Sequence, residues 1–161
     1  MSAPRIKESP LGTIYIFPDN PITLARPRFA NGHAYDSQKK LRNQWQQALR
    51  ILKSQTLDPY YESTPLSLSL ILLFDIPRSY SKKLRMEILG KPYKATPDLS
   101  NCQKWVEDVA EGILYENDKI IVETNVIKLY APHAATAFRV TPYKADRVSP
   151  SVFQFIAEYK P

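Results

Sequence analysis

The chain has 161 residues, 43% of them apolar and 24% charged, with 22 basic against 16 acidic side chains and a formal charge of +6. That length is one ordinary domain with room for a real core, and the apolar share excludes global disorder. One cysteine, two histidines and four glycines exclude a disulfide framework, a Cys-rich zinc site and a glycine-loop nucleotide site, since no G-x-x-x-x-G-K-[ST] or G-x-G-x-x-G run occurs.

In chain order, Gly12 to Phe17 (GTIYIF) is β-rich, stops at Pro18 and predicts a short strand. Pro21, Pro27, Asn31 and Gly32 mark a loop or irregular hairpin between Asp19 and Tyr35. From Ser37 to Ser54, Leu41, Trp45, Ala48, Leu49 and Leu52 fall at helical spacing, with Lys39, Arg42, Gln46, Arg50 and Lys53 on the other side. Leu66 to Ile76 (LSLSLILLFDI) alternates and then turns wholly apolar, the pattern of a central strand. A basic segment with prolines at 77, 92 and 97 follows, then a second helix from about Ser100 to Glu111. Lys119–Tyr130 and Thr136–Tyr143 alternate like two strands, expected to pair around the Ala131–Ala135 turn.

This β-α-β-α-β-β order predicts a mixed α/β (α+β) fold with two main helices. One domain is expected over residues 1–161, with its core at about 12–143 and a tail at 145–161. The longest apolar run, Leu70 to Phe74, is far too short to span a bilayer, and the opening MSAPRIKESPLG lacks a signal-peptide core. A soluble cytoplasmic protein with no membrane partner and no nucleotide cofactor is expected.

The charge is unevenly spread. Between Arg78 and Lys94, six cations (Arg78, Lys82, Lys83, Arg85, Lys91 and Lys94) face only Glu87. Between Asp98 and Glu123, seven carboxylates face only Lys104 and Lys119. A polyanion is attracted to the first block and repelled by the second unless a cation sits among the carboxylates. A divalent metal with hard oxygen ligands is the usual such cation, which points to phosphodiester chemistry. The alternative is that both blocks are solvated surface.

The second helix and its flanks, PDLSNCQKWVEDVAEG, carry the sharpest pattern. Cys102, Trp105, Val106 and Val109 form a stripe predicted to be buried, as is Trp45 on the first helix. Asn101, Lys104, Asp108 and Glu111 share another face. Ser100 and Gln103 match a capping box, which would set Asp98 two residues before the helix, near the positive end of its dipole. Tyr115-Glu116-Asn117-Asp118 delivers a second carboxylate just before a strand. Two carboxylates from separate elements with a lysine between them are the minimum for metal-assisted phosphodiester hydrolysis. The same residues also serve if Asp98 caps the helix and Asp118 turns the chain. Tyr80 and Tyr93 offer rings for stacking near the basic segment, and His33 and His133, read as loop residues, are given no role.

PDLSNCQKWVEDVAEGILYENDKIIVE resembles the signature of RusA-type Holliday-junction resolvases, in which Asp-x-Asp-Asn-x-x-Lys leads to an Asp-Asp pair. IPRSYSKKLRMEILGKPYKATPD (Ile76 to Asp98) is similar to the family's Ile-Pro-x-Ser-x-Ser-Lys-Lys-x-Arg lead-in, and PDNPITLARPRFANGHAYDSQKK (Pro18 to Lys40) resembles its Pro-x-x-Lys-x-Arg-Pro-Arg opening. The resemblance covers about Ile14 to Val140, with three blocks in register. It implies a Mg²⁺-dependent endodeoxyribonuclease (Mn²⁺ as a substitute) that cuts four-way-junction or branched DNA as a homodimer and is prokaryotic or phage-encoded. Carried over, Asp98 and Asp118 are metal ligands, Lys104 is the catalytic lysine, and Asn101 and Asn117 support the site. Arg26 and Arg28 join the six cations of the basic segment as DNA contacts. Two departures stand out: Ser100 occupies the second aspartate's position and Asn117 the first of the Asp-Asp pair. A serine brings no charge, so Asp108, two turns along the Asn101–Lys104 face, is the carboxylate placed to compensate. The rival reading is a junction-binding protein whose chemistry is impaired by Ser100.

Overall fold

The run Leu66–Asp75 (β5) is the middle of the molecule. Leu66, Leu68, Leu70, Leu72 and Phe74 alternate onto one face and are all buried. The structure, a computed structural model, describes residues 3–25, 28–30 and 32–145. The expected tail lies almost wholly outside these, as does Arg26; of Arg28 only the backbone is described. Strands β1 (Arg5–Lys7), β2 (Ile14–Pro18), β6 (Ile121–Ala131) and β7 (Ala135–Pro142) complete a mixed five-stranded sheet in the order β1-β2-β7-β5-β6. A short hairpin, β3 (Arg28–Ala30) with β4 (His33–Tyr35), gives form to the expected irregular hairpin and puts His33 on a strand rather than in a loop.

The last two strands do not pair with each other, as the alternation suggested. Both pair with β5, which lies between them: β7 antiparallel, β6 parallel. The reason is burial. The most apolar strand hides best with a neighbour on each edge, and three residues can carry the chain across its end. Four peptide steps reach about 13–14 Å, more than the ~9.6 Å between strands two places apart. At that crossing the Ile76 N–H donates to the Ala131 carbonyl at 3.0 Å. The parallel pair also requires a crossover, and residues 76–120 supply it. The β5–β6 register shifts once: Leu66 faces Ile121 and Ser67 faces Glu123, so Val122 is an extra residue. The Ser67 hydroxyl donates to the Glu123 carboxylate across this point.

Helices α1 (Lys39–Lys53) and α3 (Leu99–Ala110) pack on one face of the sheet. Trp45, Leu49 and Leu52 of α1 and Cys102, Trp105, Val106 and Val109 of α3 are buried, as their spacing predicted. Trp45 stacks on Phe17 at 4.2 Å and meets Trp105 edge-on at 5.9 Å. A third helix, α2 (Lys82–Ile88), forms inside the basic segment that read as irregular, with the Ser81 hydroxyl accepting from the Leu84 N–H. It buries none of its residues, which is why no apolar stripe announced it. Among the described residues no helix packs on the opposite sheet face, and Ile71 and Ile127, register partners there, are each 41% exposed. No helix among the described residues is long and apolar enough to cross a membrane.

Neighbouring residues of β5 therefore differ sharply. Leu70→Ala, at a fully buried position, is expected to cost about 2–5 kcal/mol, and Ile71→Ala less than about 1 kcal/mol. Urea unfolding of both variants checks this; equal losses would mean that the outer face is buried as deeply as the inner one.

Candidate active site

Apart from Arg26 and Arg28, the candidate site residues all lie on the crossover between β5 and β6. Arg78, Lys82, Lys83, Lys91 and Lys94 are exposed along it and Arg85 is half-buried. Lys83 and Glu87 approach only to 4.0 Å, an open surface pair with little energetic weight. Tyr80 is exposed, but Tyr93 does not offer a free ring: it is half-buried and stacks on Phe74 at 4.0 Å.

α3 begins two residues earlier than the capping pattern suggested. Asp98 itself is the N-cap, its carbonyl taking the Cys102 N–H at 3.2 Å, and its carboxylate makes no capping bond. Ser100 falls in the first turn, exposed, and Gln103 donates to Glu107 at 2.7 Å instead of closing a box. Asp98 is thus an exposed carboxylate at the positive end of a helix. The Asn101 carbonyl accepts the Leu24 N–H at 3.1 Å, so the segment that runs on to residues 26–28 departs from the start of this helix.

Further along α3, Lys104 Nζ lies 2.8 Å from Asp118 Oδ2 and 3.4 Å from Glu107 Oε2. Asp118 is fixed locally. Asn117 Oδ1 accepts the Lys119 N–H at 3.0 Å, capping a one-turn 3-10 helix over Asp118–Ile120. Upstream, Gly112 at φ +73° closes the turn by donating to the Tyr115 carbonyl at 2.7 Å, and the buried Tyr115 hydroxyl donates to the Glu107 carbonyl at 3.0 Å. The hydrogen bond that Lys104 donates to Asp118 holds the ammonium above its ordinary pKa, against burial and with help from Glu107. Asp108 is pushed above the ordinary carboxylate range, first by burial; Arg42 and Lys104 oppose the shift, and Asp118 and Glu107 add to it. Burial pushes the Cys102 thiol up to about 11, which leaves it inert.

Two side chains given no site role from the sequence are integral here. Arg42 of α1 bridges Asp36 at 2.8 Å and reaches Asp108 at 3.9 Å, with its guanidinium 5.8 Å over the Trp105 ring. It read as one more cation on a polar helix face; only packing brings it to α3. Lys128 of β6 donates to the Ala95 and Pro97 carbonyls at 2.7 and 2.6 Å. Its signal was available in the alternation, which gives a lysine the inward position.

The structure therefore joins Lys104, Asp118, Glu107 and Asp108 in one charged cluster; Asp98 and Ser100 stand apart from those contacts, at the start of the helix. Among the described residues no three His, Cys, Asp or Glu side chains converge as a metal site would require. The donor set nonetheless fits a hard cation that keeps most of its waters. Mg²⁺ is commonly held by one or two carboxylates plus substrate phosphates, and Asp98 presents a carboxylate that the helix does not use.

Residues 18–141 match the family model described as endodeoxyribonuclease RusA. No curated protein matches the chain.

The Lys104–Asp118 pair is half exposed on the lysine side, so its stability contribution is about 0–1 kcal/mol. Because the folded lysine pKa is raised, that contribution is fully present below the ordinary value of 10.5 and fades as pH climbs through the raised one. Lys104→Met is expected to melt slightly below wild type at pH 7, with the difference closing as the pH climbs above the ordinary lysine value of 10.5. Melting curves across that range check it, and a gap that widens with pH would reverse the assignment.

Proposed function

Since the chain belongs to the RusA family of endodeoxyribonucleases, we propose that it resolves Holliday junctions and related branched DNA by metal-dependent phosphodiester hydrolysis. The observation that carries this reading is the Lys104 ammonium seated 2.8 Å from Asp118 on the helix that begins at Asp98. A cation fixed between two elements can neutralise charge developing on a phosphate without reorganising during the reaction. Asp98 and Asp118 are the ligands for Mg²⁺, or Mn²⁺ in its place, with Ser100 a neutral donor beside Asp98 and Asp108 a carboxylate in reserve. The ion, when bound, supplies water activation and polarisation of the scissile phosphate. Asn117 acts through its side-chain oxygen, which caps the turn that presents Asp118, and Asn101 through its backbone carbonyl, which tethers the segment before Arg26 and Arg28.

The exposed cations from Arg78 to Lys94 lie immediately before the catalytic helix, where they can grip phosphates flanking the cleaved one. A four-way junction has two-fold symmetry, so a homodimer with one site per strand suits it. This reading puts the protein in the cytoplasm of a prokaryotic cell, as a host or phage product. A second reading, a junction-binding protein of impaired chemistry, draws on Ser100 and on the missing third carboxylate among the described residues.

A synthetic four-way junction with Mg²⁺ separates the two. Wild type is expected to nick symmetrically and Asp118→Asn to lose at least about a hundredfold in rate while still binding. Tight, salt-sensitive binding with no cleavage in Mg²⁺ or Mn²⁺ would favour the second reading. Replacing Lys82 and Lys83 by alanine is expected to shallow the salt dependence of junction binding by about one to two logarithmic units per decade of salt. An unchanged slope would remove both lysines from the interface.

A further inference from the structure

We propose that Lys128 is a positioning residue for the site: together with Tyr93 it captures the three carbonyls that precede Asp98 and so sets where that carboxylate stands. The proposal rests on the assignment of Asp98 as a ligand. It begins from register. Thr124, Val126, Lys128 and Tyr130 face Leu68, Leu70, Leu72 and Phe74, all of which point into the core. A lysine in that file is costly unless its ammonium is satisfied. No ion pair does so among the described residues; the ammonium donates to Ala95 and Pro97 instead.

The rest of the arrangement holds that ammonium in place. Its nitrogen stands 5.3 Å from the Tyr93 ring centre and 5.8 Å from that of Phe74, and those rings are stacked 9° from parallel. The Tyr93 hydroxyl takes the remaining carbonyl, Thr96, at 3.0 Å, and the Tyr93 N–H donates to the Lys128 carbonyl at 2.9 Å. Three consecutive carbonyls are thus held by two side chains, one on the edge strand and one on the segment laid along it. The next residue is Asp98. Its own side chain makes no capping bond to fix the helix start, so the carbonyls before it supply the anchor. A methionine would fill the same volume and stem contacts while leaving the Ala95 and Pro97 carbonyls without their charged donor.

The test compares Lys128→Met, Lys128→Arg and Tyr93→Phe with wild type in the full chain. Three quantities are read: amide hydrogen exchange at residues 98–101, Mn²⁺-induced line broadening of the same amides, and single-turnover junction cleavage beside junction affinity. For Lys128→Met we expect faster exchange at 98–101 with the β5–β7 amides unchanged. Half-maximal broadening should need about ten times more Mn²⁺ and cleavage should fall about 10–100-fold, while junction affinity stays within about threefold. Lys128→Arg, still able to reach two carbonyls, should recover most of each loss, and Tyr93→Phe should show a smaller change of the same kind. Wild-type exchange at 98–101 in Lys128→Met overturns the clamp whatever the activity. Faster exchange with unchanged Mn²⁺ response and cleavage overturns its role in positioning. If wild type itself neither broadens nor cleaves, the ligand assignment of Asp98 fails, and with it the proposed role, although the exchange data still report the clamp.

Discussion

The parallel pairing of β5 with β6 is the constraint from which the rest follows. Two parallel neighbours cannot be joined by a tight turn, so the chain must leave the end of β5, travel the length of the sheet and re-enter beside its start. That journey is residues 76–120, and it contains the basic segment, α2, α3 and the carboxylates. The sheet needs a crossover for topological reasons alone. The same connection carries the basic stretch and the acidic helix one after the other. The opposed charge blocks along the sequence are thus the outbound and return legs of one connection.

Within that connection three of the carboxylates are compensated by fixed partners. Glu107, nearly buried, is satisfied by Gln103 and Lys104; Asp118 leans on Lys104, and Asp108 has Arg42. The lysine is the hinge of this set because it touches both Glu107 and Asp118. Asp98 is different in kind. It stands at the start of the helix, where the dipole offsets part of its charge, and is open to solvent. The helix thus carries a self-compensated cluster along its length and an uncommitted carboxylate at its tip, and a polyanion approaching the two meets unlike fields.

What was legible in the sequence was whatever depends on periodicity. The central strand at Leu66, the stripes of Trp45 and Trp105, and the buried Cys102 all follow from apolar spacing, and packing left them where the spacing put them. What was not legible depends on contacts distant in sequence. Alternation in the last two strands reported that each has a buried face but not which strand it faces, so their pairing through β5 could not be read. α2 has no buried side to mark it. The helix start moved from Ser100 to Asp98 because the carbonyls before Asp98 are anchored from another strand, which local capping patterns ignore. The side-chain contacts of Lys104 with Asp118 needed the fold, while the pairing of their roles came from the RusA resemblance, now matched over residues 18–141.

The extra residue at Val122 gives the acidic and basic partners of this site a fixed separation. Downstream of it, β6 is locked to β5 pair by pair, and Lys128 can face only Leu72. Upstream, the 3-10 turn holds Asp118 against Lys104. A chain one residue shorter here would keep the ladder only by drawing that turn about 3.3 Å towards the sheet, and the half-exposed Lys104 side chain would have to follow to keep its 2.8 Å contact. The bulge thus works as a gauge block that sets the distance along the chain from Asp118 to Lys128.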